Sequence, residues 1–429
     1  MSLSELTRIG DILKQALAMP AVNDLGRVTG QAQRLRTVTP HRLFFAIVSA
    51  LAARRVETLA DLRRVFNHQQ GVRVAYKAFD NRLARPGFAA FMRAMCGRVG
   101  QDCRLHTLAP DGEHAVAPFR DIVIQDGSSF AVKRALRGVF PGRFTTIEPA
   151  AVELHARYSG YGDDGTAIHL VPDCEAERQC LPEPGTLTGC LLLADRGYPS
   201  APYFTAVQAR GGAFIIRLTT SHDPYVTAAW HDRRRLRVAR EMRLSRFLAE
   251  HGDRSLDLDV DYRQADRAAR FRLVVAPGRA GQASRLCTNL SRTTCSAALI
   301  GRLYRFRWQI ELCFKAWTSY ANLHKFDTAN PHIAAGLIWA GLCAALLKRF
   351  LAHAAQRVGH GAAISTRRVA MCAHLLLTDL VAASLHGRGL RQAWRHAMEY
   401  LLANAGRANV PREHRIGRLR TGLVLVGGA

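Results

Sequence analysis

Residues 121–132 read DIVIQDGSSFAV, and this stretch decides the fold class. Ile122, Val123 and Ile124 form a short apolar run that leads straight to Asp126, the pattern of a buried strand ending in an acid. A second run, LLLA at Leu191–Ala194, leads into Asp195, and further runs fall at Ala150–Tyr158 (AAVELHARY) and Ala213–Leu218 (AFIIRL). A helical stretch at roughly 200–210 lies between the last of these and Asp195, so strand, helix and strand alternate as in an α/β sheet. Asp126 and Asp195 then project from one sheet edge, where α/β folds place their sites. Each acid also has a plainer reading: Asp195 as a helix N-cap partnered by Arg196, and Asp126 as a turn residue before Gly127.

Upstream of this region the pattern is helical. Thr39-Pro40 is a helix start ahead of HRLFFAIVSALAARR. Thr58 with Asp61 three residues on approximates a capping box, with Leu59, Leu62 and Phe66 as the buried stripe and Gly71 ending the turn that follows. The next segment, VRVAYKAFDNRL, sets Arg73, Lys77, Arg82 and Arg85 on or beside a third short helix. The arrangement is helix-turn-helix-like, with DNA contact through Arg73 and Lys77 or a solvated basic face as its two readings.

Downstream, residues 219–296 change character again. The arginine-rich HDRRRLRVAREMRLSR is followed by the strand-like LDLDVDYR and RFRLVVAP, a mostly-β insertion. Arg233–Arg246 is the candidate for sequence-independent backbone contact, against a solvated helix face. Trp230 has two readings, stacking on an unpaired base or ordinary packing. From Ser296 the chain reads as helical for most of its length and ends in the basic tail PREHRIGRLR.

Sixty Lys+Arg against 34 Asp+Glu in 429 residues leave a formal charge of +26. That excess makes nucleic acid the default partner. Hydrophobic residues at 48% and charged residues at 22% describe a folded chain of two or three domains, not a disordered or fibrous one. The N-terminus has no charged-then-apolar signal pattern, and the longest uncharged apolar run, Ile333–Leu347, suits a buried helix better than a membrane span, so a cytoplasmic location is expected. The cysteines lack zinc-ligand spacing and read as small core residues.

The helical segment RLYRFRWQIELCFKAWTSY, residues 302–320, carries the third group. At 100° per residue, Tyr304, Arg307, Glu311 and Thr318 fall within an arc of roughly 60°, and Lys315 lies on the same face one turn past Glu311. A stripe of this kind delivers a carboxylate together with phosphate-binding cations. An exposed face with Arg307–Glu311 and Glu311–Lys315 pairs at i, i+4 is the alternative.

The spacing Y-x2-R-x3-E in YRFRWQIE, followed by FK, is similar to the signature of bacterial insertion-sequence transposases of the insertion-sequence-four type, the YREK group of DDE transposases. Asp126 in QDGSSF and Asp195 in ADRGY resemble that family's first and second catalytic acids, and the likeness runs from about residue 58 to 350. The family's terminal Lys would fall at position 318, where this chain has Thr318; Lys315 shares that face.

The resemblance implies an RNase H-like α/β catalytic core with a mostly-β insertion, flanked by helical regions. The implied boundaries are a helical DNA-binding region at 1–115, core at 116–218, insertion at 219–296, core with the catalytic helix at 297–350, and a C-terminal helical region at 351–429. It further implies metal-dependent cleavage and strand transfer of insertion-sequence ends. Asp126, Asp195 and Glu311 would be catalytic and hold Mg2+, with Mn2+ as the alternative ion. Tyr304, Arg307 and Lys315 would contact DNA, and a homodimer would act on paired double-stranded ends. The competing functions are a transposase-derived DNA-binding protein without activity and an RNase H-like metal-dependent nuclease.

Overall fold

The structure, a computed structural model, describes residues 3–53, 56–102, 108–110, 119–159, 166–175, 177–252, 254–264, 267–276, 283–307, 310, 314, 328–359, 364–386, 389–406 and 423–425. It begins with helices α1 (Leu3–Ala16), α2 (Met19–Val28), α3 (Pro40–Ala53), α4 (Leu59–Gln70), α5 (Tyr76–Leu83) and α6 (Pro86–Asp102). Thr58 caps α4 as its sequence demands: its hydroxyl accepts from the Asp61 amide at 3.2 Å, and the Asp61 carboxylate accepts from the Thr58 amide at 3.0 Å. The hydrogen bonds from Thr58 lower the Asp61 carboxyl to about 2. Gly71 closes α4 at φ 61°, a left-handed position that a side chain would strain.

The sheet region follows, with β1 (Leu108–Pro110), β2 (Asp121–Ala131), β3 (Pro141–Phe144), β4 (Glu148–Ser159), β5 (Thr166–Pro172), β6 (Cys190–Ala194), α7 (Ala201–Ala209) and β7 (Ala213–Arg217). Lateral order is β5-β4-β2-β6-β7, with β2, β6 and β7 mutually parallel and β4 and β5 antiparallel to their neighbours. β3 pairs with the start of β4.

The chain continues through β8 (Tyr225–His231), β9 (Arg234–Leu236), α8 (Leu244–His251), β10 (Leu256–Gln264), β11 (Arg267–Ala276) and β12 (Ser284–Thr288). β12 pairs antiparallel with β7, and β11, β10, β8 and β9 follow it outward. The strands of residues 225–288 therefore extend the same sheet, which has eleven strands among the described residues. Helix α9 (Ala297–Tyr304) and a 3₁₀ turn, Arg305–Arg307, return the chain to its centre. Helices α10 (Pro331–Val358), α11 (Thr366–His386) and α12 (Leu390–Asn404) join the helical body, and β13 (Leu423–Leu425) pairs with β1.

Both faces of the sheet are covered, which is why its parallel strands read as unbroken apolar runs. Ile122, Ile124, Leu191, Leu193 and Ile215 pack with the helical body, while Val123, Leu192, Phe214 and Ile216 pack with Phe204 of α7 and Phe247 of α8. Helix α10 is long and apolar enough to cross a bilayer, but 83% of its most apolar window is buried inside the protein, so it acts as the core helix of the helical body.

Candidate active site

Register brings the first two acids together. Parallel pairing sets Gln125 opposite Ala194, so the next residues, Asp126 and Asp195, lie side by side where β6 stops. By strand alternation they share the face of Ile122, Ile124, Leu191 and Leu193, the side that carries α9. One expectation needs correction: β2 does not end at Asp126 but runs on to Ala131. Its pairing with β4 continues after β6 has turned away, so the ladder opens on one side only. The turn reading of Asp126 fails for the same reason, and the N-cap reading of Asp195 fails because α7 starts from Ser200.

The segment ahead of Glu311 closes over both carboxylates. Arg307 Nη1 donates to Asp126 Oδ2 at 2.6 Å and lies 4.0 Å from Asp195 Oδ2. Tyr304 donates its hydroxyl to Asp195 Oδ1 at 3.0 Å. The expected continuous α-helix tightens to 3₁₀ at Arg305–Arg307, and 3₁₀ geometry eclipses i and i+3, so Tyr304 and Arg307 still face the same point. The Arg307 guanidinium sits 5.6 Å from the centre of the Tyr304 ring. Burial, and then the Asp195 carboxylate, push the Tyr304 phenol well above its ordinary range, so it stays a proton donor.

Glu311, Lys315 and Thr318 lie outside the described residues. Among the described residues no group of three His, Cys, Asp or Glu side chains is placed to hold an ion. Arg73, in the α4–α5 connection, and Lys77, in the first turn of α5, are exposed on the helical body. Neither forms a hydrogen bond or ion pair with the acid pair. Arg292 covers one face of Trp230 at 3.9 Å, which favours packing over base stacking.

The groups that hold this arrangement in place carry little local signal in the sequence. Arg272 on β11, 6% exposed, donates to Asp257 of β10 at 2.9 and 2.7 Å and to the carbonyls of Leu290 and Cys295 at 3.1 and 2.6 Å. It thereby fixes the segment that launches α9. Behind the acids, on the opposite sheet face, fully buried His155 meets the Tyr198 hydroxyl through Nδ1 at 2.9 Å and faces Glu153 at 3.5 Å through Nε2. Tyr198 closes the turn after Asp195, its amide donating to the Asp195 carbonyl at 3.2 Å.

Arg143 spans Glu153, Asp173 and Glu177 at 3.4, 3.8 and 3.7 Å. Burial, followed by Glu153, raises the Glu177 carboxyl. Gly127 completes the support, since a Cβ there would fall 2.7 Å from Glu153 Oε1 and 3.0 Å from the His155 ring. The visible trace of all this in the sequence is the alternation of polar residues in VELHAR and of charges in LDLDVDYR and RFRLVV.

A family model described as a transposase DDE domain matches residues 119–347, a little over half of the chain and the whole span from β2 to the middle of α10. No curated protein matches the chain. The match contains both acids at the sheet edge and the segment that closes over them, and the chain belongs to the transposase DDE domain family.

Proposed function

We propose that the chain cleaves and joins DNA ends of an insertion sequence, as a cut-and-paste transposase of the YREK group. The observation that carries this reading is the convergence of Asp126 and Asp195 with Tyr304 and Arg307, two residues from the segment that leads to Glu311. The order β5-β4-β2-β6-β7, with three parallel strands and an antiparallel pair, supports an RNase H-like core. The strands of 225–288 are its β-rich insertion.

The donor set suits a divalent cation such as Mg2+. Two hard carboxylates stand side by side on adjacent strands, and the Arg307 guanidinium lies at both of them, as a gathering of negative charge requires. Asp126, Asp195 and Glu311 would hold the metal, which when bound polarises a phosphodiester and activates water or a 3′-hydroxyl. Tyr304 fixes the Asp195 carboxylate through its donated hydrogen bond. Arg307, held at Asp126, has the planar donor set that recognises a scissile phosphate. Arg73 and Lys77, both exposed, would contact DNA from the helical body.

The test is cleavage of a duplex carrying the element's end, followed by joining of the freed 3′-hydroxyl to a second duplex. The wild type is expected to perform both steps only with Mg2+ or Mn2+, and Asp126→Asn, Asp195→Asn and Glu311→Gln to abolish both. Cleavage retained in Asp126→Asn and Asp195→Asn would exclude this centre. DNA binding without cleavage by the wild type would favour a transposase-derived binding protein, a reading that Thr318 in place of the signature lysine also favours.

A further inference from the structure

Along the sheet, β12 runs antiparallel to β7, and β11, β10 and β8 each reverse direction in turn. β8 therefore points the same way as β6. The turn between β8 and β9 thus lies on the same sheet edge as Asp195 and Asp126, between five and six strand steps from β6. At ~4.8 Å per step that is about 24–29 Å along the sheet.

The edge between them is lined with arginine. Arg217 ends β7, Arg285 lies at the start of β12, Arg254 precedes β10, and Arg233, Arg234 and Arg235 form the hairpin tip. Arg254 and the three tip residues are exposed. None of the six forms an ion pair with a described residue. The tip itself is strained: Asp232 and Arg233 have φ of 45° and 66°, and a two-residue hairpin turn of this kind favours glycine at its second position. A long charged side chain thus stands at the outermost point of the hairpin, where the turn itself calls for glycine.

We infer that this edge is a track for duplex DNA, with phosphates seated on the arginines from Arg217 to Arg235 and the hairpin tip gripping the backbone about seven to nine base pairs from the acids. The span follows from a rise of ~3.4 Å per base pair. A polyanion of regular phosphate spacing is the partner that such a line of arginines fits. The inference rests on the reading of the chain as a protein that acts on DNA.

The experiment measures the affinity of the full chain for a 30-base-pair duplex of arbitrary sequence across a salt series. Each arginine engaged with a phosphate contributes about 0.9 to the slope of log K against log salt. Arg233→Ala/Arg234→Ala/Arg235→Ala should flatten the slope by up to about 2.7 and weaken binding on the order of 100-fold at physiological salt. The corresponding triple lysine variant should keep the wild-type slope. Arg233→Gly should unfold no earlier than the wild type and still lose about 0.9 of slope, which separates a lost contact from a lost fold. Wild-type protein that fails to bind the duplex would overturn the DNA reading itself. Wild-type binding with an unchanged slope in the triple alanine variant, or an equal loss in an Arg8→Ala/Arg27→Ala/Arg395→Ala control on the helical body, would overturn the track alone.

Discussion

Replacing Arg307 by methionine tests how the centre balances its charge. The Arg307 and Asp126 side chains are 11% and 12% exposed and meet at 2.6 Å, so the pair is almost fully withdrawn from water. Removing one partner of such a pair costs about 3–5 kcal/mol, because the other charge stays buried. The lower figure applies here, since a thin solvent-exposed margin remains and Asp126 also accepts from the Gly127 amide at 3.0 Å. Arg307→Met should therefore lose about 3 kcal/mol of unfolding free energy in EDTA. A divalent cation bound at the proposed site should take over the lost compensation: with 10 mM Mg2+ and a dissociation constant of about 1 mM, linkage would return about 1.4 kcal/mol. The wild type, with its guanidinium in place, should gain less from Mg2+. Urea denaturation with and without Mg2+, repeated for Asp126→Asn and the double variant, yields the coupling energy directly. Wild-type stability of Arg307→Met in EDTA, or a Mg2+ gain no larger than that of the wild type, would show that Arg307 does not balance the buried charge of Asp126.

Tyr198→Phe removes the hydroxyl that meets His155 at 2.9 Å and should cost about 1–3 kcal/mol by calorimetry, whereas Tyr198→Phe/His155→Leu should recover part of that loss, because no buried polar ring is left unmatched; a double variant less stable than the sum of both single changes would contradict the pairing. Gly127→Ala should weaken Mn2+ binding more than it lowers the unfolding midpoint, because Glu153 and His155, at 4% and 0% exposure, cannot move aside and the strain falls on the backbone next to Asp126; unchanged Mn2+ affinity would count against that close approach. The raised carboxyl of Glu177 binds its proton more tightly in the folded than in the unfolded chain, so its contribution to stability is present below the unfolded value and is lost as pH rises through the folded one. Glu177→Gln should accordingly be more stable than the wild type at pH 8 and lose that advantage below about pH 4, and a Glu177→Gln protein less stable at pH 8 would show that its contact with Arg143 dominates instead.

Local signals in the sequence carried the acid pair: two apolar runs without helical spacing, each leading to an aspartate, are what a parallel pair buried on both faces must look like. Capping at Thr58, the left-handed Gly71 and the buried α10 were legible for the same reason, since each depends on neighbours within a few residues. The pairing of β12 with β7 joins residues about 70 apart, and no periodicity encodes it, so residues 225–288 looked like a separate unit although they continue the sheet. Arg233–Arg246 has arginines enough for a helix face, but the left-handed turn at Asp232 and Arg233 makes its first part a hairpin instead. His155, Tyr198 and Arg272 were invisible as a group because their contacts cross from strand to strand and to distant loops.

Mn2+ binding followed by electron paramagnetic resonance tests the proposed cation-binding, DNA-cleaving pair of Asp126 and Asp195 without knowledge of the DNA end. Wild-type protein should deplete the free Mn2+ signal saturably and release the ion to excess Mg2+. Asp126→Asn and Asp195→Asn should each weaken binding by at least about tenfold. Wild-type Mn2+ affinity in both variants, with the fold intact by circular dichroism, would show that these two carboxylates do not hold the ion.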